Sequence, residues 1–352
     1  MAKALRVVCL LGTAGGTWGG MERHTLDLVR TLAERSAVEV HLVADEGYRR
    51  HAPVGVVFHT LDVSRSRRSP VLWWQWRQLL KTLRPHVVHA QGAKAAALLA
   101  AQSSWLRRSG CVTIGTVHGT KSQHKAYAAL DAVIAVSAGI AAQLQHPCVR
   151  VIANGVAPRV PDPQTLADCR QQRADWPGAL VLAIGRLAPV KGFDLLLQAW
   201  PSTAEAHLLI LGDGPERAAL QQQIEQLGLI SKVTLGGHSS AVTEWLHVAD
   251  AMVISSHREG FPYVLVEALQ AGCPVLSTAV SGVSEIVPPA YLVAPGEHSL
   301  LHELLQRCIP QLSLLRQEQG VLFEQALDEL TLVAMADKTL NLYLTLRDQT
   351  HE

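Results

Sequence analysis

Short apolar runs alternate with helical patterns through most of this chain, and that alternation limits its fold more than any other feature. Leu5–Leu11 is a largely apolar run closed by a glycine-rich stretch, Gly12–Gly20. Glu22–Ser36 then places Leu26, Val29, Leu32 and Ala33 on one helical face. Strand patterns follow at Val38–Val43, Val56–Leu61, Val87–His89, Thr113–His118 and Ala132–Val136. Helical patterns lie between several of them, near Val71–Leu83, Lys94–Arg107 and Ala138–Leu144. Strands that alternate with helices predict a parallel sheet covered on both faces, an α/β class of fold.

The rhythm breaks between Ala157 and Gly178, where Pro158, Pro161, Pro163 and Pro177 fall close together. It then restarts with strands at Leu180–Ile184, Leu208–Leu211, Val233–Leu235, Met252–Ser255 and Pro274–Ser277. Helices are predicted at Phe193–Trp200, Pro215–Gln226, Val242–Val248 and Tyr263–Ala271, and the stretch from Leu300 to Leu346 is mostly helical. A length of 352 residues also fits two domains. The expected division is a first domain over 1–156, a linker over 157–178, a second domain over 179–330, and a terminal helix over 331–352 that packs back on the first domain. Two doubly wound domains place ligands at the carboxyl ends of their strands, and a cleft between them is the default site.

With 48% of its residues hydrophobic, the chain can bury substantial cores, which excludes a disordered protein. The six cysteines form no CxxC pair and scatter through apolar segments. That argues for reduced thiols and against a disulfide framework or a zinc site. The first twelve residues are too short in apolar length for a signal peptide, and no uncharged run of about 18 apolar residues occurs.

Three loops carry residues suited to chemistry. Gly12-Thr-Ala-Gly15-Gly16-Thr-Trp-Gly19-Gly20 opens the first helix, where backbone amides can approach an anion. Its spacing is not that of the nicotinamide fingerprint, and taken alone it fits a flexible surface loop equally well. Gly185-Arg186-Leu-Ala-Pro-Val-Lys191-Gly192 puts two cations at a strand end, an arrangement suited to a diphosphate. Glu259-Gly260-Phe261-Pro262-Tyr263-Val264-Leu-Val-Glu267 places one carboxylate in a turn and another in the following helix. Glu267 sits among apolar neighbours and is expected to be at least partly buried. A buried carboxylate needs hydrogen-bond partners, which sugar hydroxyls would supply.

Taken together, Arg186, Lys191-Gly192, Glu259-Gly-Phe-Pro and Glu267-Ala268 resemble the retaining glycosyltransferases of family four, which have the GT-B fold. Gly19-Gly20-Met-Glu22-Arg23-His24, Val88-His89-Ala90, Ile134-Ala-Val-Ser137, Asn154-Gly155-Val156 and Leu211-Gly-Asp213-Gly-Pro215 are similar to further segments of that family. The resemblance spans roughly residues 5 to 290. It implies two Rossmann-like doubly wound domains and transfer of a hexose from a nucleotide-diphosphate sugar. UDP-sugar is the first expectation for the donor and GDP-mannose the second. The acceptor implied is a membrane-associated glycan or glycolipid of lipopolysaccharide core or other bacterial surface polysaccharide synthesis.

The resemblance also assigns roles. Glu259 would contact the donor sugar and Glu267 the nucleotide ribose. Arg186, Lys191 and the amides of Gly260–Val264 would bind the diphosphate, with Gly19 and Gly20 approaching its phosphates. His118, at a strand end before Gly119, would face the reacting sugar, and His89 and His124 are weaker candidates for acceptor contact. No DxD pair occurs, so neither a metal nor a cofactor is expected. Competing readings are a sugar-nucleotide epimerase on the same fold and a non-catalytic nucleotide-sugar-binding protein.

The net charge of +1 conceals an asymmetry. Before Gly155 there are 19 Lys and Arg against 8 Asp and Glu, giving +11; the remainder has 12 against 22, giving −10. Much of the positive charge lies in Arg65–Arg84, which contains Arg67, Arg68, Trp73, Trp74, Trp76, Arg77 and Lys81, and in Trp105-Leu-Arg107-Arg108. Basic residues beside tryptophans suit an anionic membrane surface. The alternative is that Trp74, Leu79 and Leu80 pack on the sheet while the charges are merely solvated. The sugar-transfer motifs make nucleic acid the weaker candidate partner, and the expected location is the cytoplasmic face of the inner membrane.

Overall fold

The computed structural model describes residues 4–16, 18–119, 124–201 and 205–349. The chain divides into two compact units, one running to Gly155 and resuming at Leu332, the other spanning Val156–Thr331.

In the first unit, seven strands form one parallel sheet: β1 (Leu5–Leu11), β2 (Val38–Ala44), β3 (Val57–Thr60), β4 (Val87–Gln91), β5 (Val112–Val117), β6 (Ala132–Ala135) and β7 (Val149–Val151). Their order is β3-β2-β1-β4-β5-β6-β7. Order reverses beside β1, so the loops after β1 and β4 open at the point where a doubly wound sheet binds its ligand. The interior strands are apolar almost throughout because helices cover both faces. The helix Pro70–Leu83 shows how phase selects the buried side chains: Leu72, Trp76, Leu80 and Leu83 recur one turn apart and are buried, whereas Trp73 and Trp74 face outward. Trp76 is therefore a core residue rather than part of a membrane-facing surface, and Trp74 does not pack on the sheet.

The terminal helix Leu332–Gln349 belongs to this first unit and packs along Gly20–Ala33. Met335, Ala336 and Tyr343 are fully buried in the same core as Val7, Cys9 and Leu28. Burying each of the larger side chains contributes about 1.5–3 kcal/mol. Residues 332–352 carry two basic and three acidic side chains, so the positive surplus of this unit is +10.

The second unit holds a six-stranded parallel sheet: β8 (Ala179–Ile184), β9 (Ala206–Leu211), β10 (Val233–Gly237), β11 (Ala251–Ile254), β12 (Val275–Thr278) and β13 (Leu292–Val293), in the order β10-β9-β8-β11-β12-β13. Here the order reverses beside β8, and the loops after β8 and β11 open at that point. Apolar clusters lie on both faces of the sheet.

The expected linker over 157–178 is not a linker throughout. Residues Pro163–Ala174 form a helix within the second unit, packed on the helix Val242–Val248. Asp162 caps it by accepting from the Thr165 amide at 2.9 Å, and Pro163 occupies the first turn. The predicted helix Lys94–Arg107 is likewise two helices, Ala93–Ala100 and Ser103–Arg108. Ser103 donates its hydroxyl to the Ala100 carbonyl at the break, a bond that competes with helix continuation.

Candidate active site

In the second unit, the loop after β8 crosses the loop after β11. Gly192 makes the crossing possible: its φ is +62°, and a Cβ there would lie 2.3 Å from the Ser255 carbonyl oxygen. The loops are then tied together. The His257 amide donates to the Val190 carbonyl, and the Ser255 hydroxyl to the Lys191 carbonyl, each at 2.9 Å. This geometry carries Lys191 across Gly185 to Glu259, whose Oε1 lies 2.7 Å from Nζ.

Ser256 Oγ donates to the same Oε1 at 2.6 Å, and Thr278 Oγ1 holds the Ser256 carbonyl at 2.6 Å. Glu259 Oε1 is thus doubly engaged. Its Oε2 has no hydrogen-bond partner among the described residues, and two of the three ammonium donors of Lys191 are equally uncommitted. The arrangement offers one carboxylate oxygen and one cation to a ligand bearing both hydroxyls and negative charge.

Arg186 is exposed, and its guanidinium has no ion pair or hydrogen bond among the described residues. Phe261 and Pro262 are buried, pressed by Gly282, where a Cβ would lie 2.8 Å from the Phe261 Cα. Pro262 precedes the helix Tyr263–Gln270 and gives it no side-chain cap; the Val264 amide has no acceptor among the described residues. Such an end attracts an anion. Glu267 is half-buried one turn further on and lines a narrow pocket with Arg159, Thr243, His247 and Gln270.

In the first unit, Gly19 is the extended N-cap of the helix beginning at Gly20, again without a side-chain cap; both glycines are exposed. Glu22 and His24, in the first turns, are buried. His24 Nδ1 lies 3.0 Å from Asn154 Oδ1, and its ring meets that of His118 edge-on at 4.7 Å. His118 Nε2 lies 2.7 Å from Gln91 Oε1. A carbonyl oxygen only accepts, so Nε2 carries the proton, while Nδ1 has no partner among the described residues.

His89 is not available to an acceptor. It is fully buried on β4, with Nδ1 2.6 Å from the Tyr343 hydroxyl and Nε2 2.7 Å from Thr116 Oγ1. It is a core histidine whose two ring nitrogens are both engaged. His124 is half-buried beside the Tyr127 ring, and its Nδ1 has no hydrogen-bond partner among the described residues.

Burial keeps these histidines neutral. It lowers His24 to about 4, against a smaller opposing effect of the Asn154 hydrogen bond. It lowers His89 to about 3, helped by the charge on His24, and pushes His118 well below the usual range, with His24 and His89 adding to the effect. In the unfolded chain these side chains take up protons near pH 6.5. Their contribution to stability is therefore complete above that pH and is lost as pH falls toward the folded values. Between pH 6.5 and 5, His24 and His89 together should cost about 3 kcal/mol. Urea unfolding at pH 7 and pH 5 should show a lower midpoint at pH 5, and His24→Gln should reduce the difference. Equal midpoints would contradict this account of the cluster.

The expected membrane surface is only partly as read from sequence. Arg67, Arg68, Trp73, Trp74, Lys81 and Arg108 are exposed. Arg77 is committed to Gln102 at 2.8 Å and stacks over Trp105, and Arg107 pairs with Asp131 at 2.8 Å. Lys81, Arg84, His86, Trp105 and Arg347 line a cavity of about 600 Å³ in this unit. No helix among the described residues is long and apolar enough to cross a membrane. No three His, Cys, Asp or Glu side chains among them converge as metal ligands.

Sequence motifs brought Lys191, Glu259 and His118 to attention but passed over Ser256, Gln91 and Tyr343. His24 and Asn154 lay inside family-like segments, yet nothing local showed that they meet.

Two family models match separate stretches of the chain. The model for "Glycosyltransferase Family 4" matches residues 18–160, and that for "Glycosyl transferases group 1" matches residues 168–313. The lipopolysaccharide core biosynthesis glycosyltransferase LpsD of Rhizobium meliloti (strain 1021) is 28% identical over 77% of this chain and 78% of its own length. LpsE of the same strain is 26% identical over 82% of each. Among solved structures, Anabaena HepE in complex with UDP superposes with a TM-score of 0.80 at 22% identity, over 97% of this chain and 100% of that one. The lipopolysaccharide outer core galactosyltransferase WaaB gives 0.77 at 20% identity, with the same coverage. These likenesses extend to both sheets, as expected for the GT-B fold. The chain belongs to the glycosyltransferases that join a family 4 amino-terminal domain to a group 1 carboxyl-terminal domain.

Proposed function

We propose that this enzyme transfers a hexose from a nucleotide-diphosphate sugar to a membrane-associated glycan or glycolipid, with retention of configuration, in the synthesis of lipopolysaccharide core or another bacterial surface polysaccharide. UDP-sugar is the favoured donor and GDP-mannose the second. The observation that carries this reading is the Lys191–Glu259 pair, with Oε2 and the remaining ammonium donors left open. The names of LpsD and LpsE support the pathway, and the UDP bound to HepE supports the nucleotide.

In the proposed reaction, the bond from the anomeric carbon to the β-phosphate oxygen breaks, and both electrons leave with the nucleoside diphosphate. Lys191 and Arg186 face the charge that develops there, and preorganised cations of this kind are commonly a large part of catalysis. The Val264 amide, without an acceptor among the described residues, adds to phosphate binding, and Glu267 takes the ribose. Glu259 Oε2 accepts from a donor-sugar hydroxyl. The acceptor oxygen bonds to the anomeric carbon on the face that the phosphate leaves, and its proton passes to the departing phosphate oxygen. Glu259 is a poor covalent nucleophile, because Oε1 already accepts from Lys191 and Ser256. The cations supply the counter-charge, so the reaction is proposed to need neither metal nor cofactor.

Thermal unfolding with UDP-glucose, UDP-galactose, UDP-N-acetylglucosamine and GDP-mannose tests donor binding. At one hundred times its dissociation constant, the true donor should stabilise the fold by about 2.7 kcal/mol. No shift with any nucleotide sugar would count against the reading.

The acceptor's location is proposed to be the cytoplasmic face of the inner membrane, engaged through Arg67, Arg68, Trp73, Trp74, Lys81 and Arg108. The +10 surplus of the first unit and the basic cavity beside Lys81 support this. Phosphatidylglycerol vesicles should sediment the chain at low salt far better than phosphatidylcholine vesicles, and Trp73→Ala/Trp74→Ala should weaken the binding. Equal partition onto both lipids would sink the proposal.

A further inference from the structure

The terminal helix Leu332–Gln349 reaches the histidine cluster through one side chain. Tyr343 is fully buried, and burial pushes its phenol well above the usual range, so it keeps its proton. The Tyr343 hydroxyl lies 2.6 Å from His89 Nδ1, and His89 Nε2 lies 2.7 Å from Thr116 Oγ1. The ring is pinned at both nitrogens. The Gln91 amide nitrogen lies 3.3 and 3.5 Å from those two nitrogens, near-equal distances that place it over the ring face. Its other end, Oε1, is thereby turned toward His118 Nε2. Because that oxygen can only accept, His118 keeps its proton on Nε2, and Nδ1 is a lone pair with no partner among the described residues.

We infer that Tyr343 is a positioning residue for sugar transfer, acting through His89 and Gln91 to fix the tautomer of His118. The inference rests on the reading that His118 faces the reacting sugar. Nδ1 as a lone pair accepts from a sugar hydroxyl; with Gln91 flipped, its amide N–H would face His118 Nε2, the proton would move to Nδ1, and the ligand-facing atom would become a donor. A core phenol that merely fills space would leave the tautomer untouched.

Tyr343→Phe keeps the ring and removes the hydroxyl. Turnover should fall about tenfold, equivalent to 1.36 kcal/mol, while KM for the nucleotide sugar changes less than about twofold, because the residues assigned to diphosphate and ribose are untouched. Nitrogen-15 spectra of the His118 ring should pass from a single Nε2–H form to a mixture. Gln91→Leu should show the same kinetic loss, and the double variant should lose little more, since both act on one path. Wild-type turnover with an unchanged His118 tautomer in Tyr343→Phe, or additive losses in the double variant, would overturn the inference. The ring spectra need no turnover, so they decide the positioning even if His118→Ala should keep full activity. That last result would instead remove the reading of His118 on which catalytic relevance depends.

Discussion

Lys191→Ala is expected to lower turnover by about 10²- to 10³-fold, the magnitude seen when one preorganised group facing a developing negative charge is removed. The lysine is held by its stem, which lies across Gly185, and by one hydrogen bond to Glu259. Its other two donors would meet the leaving diphosphate without reorganising. The pair is partly solvated, with side-chain exposures of 23% and 13%, so the stability cost should stay near 1 kcal/mol. Activity should therefore collapse in a protein that still unfolds at nearly the same urea concentration. Lys191→Arg should recover only part of the rate, because a planar guanidinium does not replace a compact ammonium. Turnover within threefold of wild type in Lys191→Ala would remove this side chain from the mechanism.

Glu259→Gln should cost about 10²-fold in kcat/KM. Hydrogen bonds to a charged acceptor contribute roughly 1.5–3 kcal/mol, and the substitution weakens both the bond to the donor sugar and the anchor on Lys191. The two losses are coupled. The double variant Lys191→Ala/Glu259→Gln should be much less impaired than the product of the single effects, because each partner is already misplaced when the other is gone. Multiplicative losses would mean that the two side chains act separately, whatever their 2.7 Å contact.

How far the sequence announced all this depended on the length over which a signal was written. The strands β1, β2, β5, β8 and β9 are runs of six or seven residues buried on both faces, and their pattern was plain. β7 and β13 span three and two residues at sheet edges with little burial, so they left no period to find. The helix Pro163–Ala174 buries only Cys169 and so lacks an apolar stripe, although Asp162-Pro163 was a legible start signal. Trp74 and Trp76 differ by two positions, which on a helix is the difference between solvent and core.

The site followed the same rule. Arg186, Lys191, Glu259 and Glu267 stood out because their loops also carry the glycines and prolines that shape them. Their pairing did not stand out, since Lys191 and Glu259 are 68 residues apart. His24 meets Asn154 across 130 positions and His89 meets Tyr343 across 254. Contacts at such separation are made by the topology of the sheet, and no local pattern encodes them. His89 illustrates the result: a strand-end histidine read as a ligand contact is a buried core residue bonded to Tyr343 of the terminal helix.

Time-resolved proton NMR of the enzyme with its best-binding nucleotide sugar and a glycolipid acceptor tests the central proposal most directly. The account predicts nucleoside diphosphate and glycoside formed in equal amounts, the new linkage keeping the anomeric configuration of the donor. An inverted linkage, or a sugar nucleotide epimerised without release of diphosphate, would contradict it.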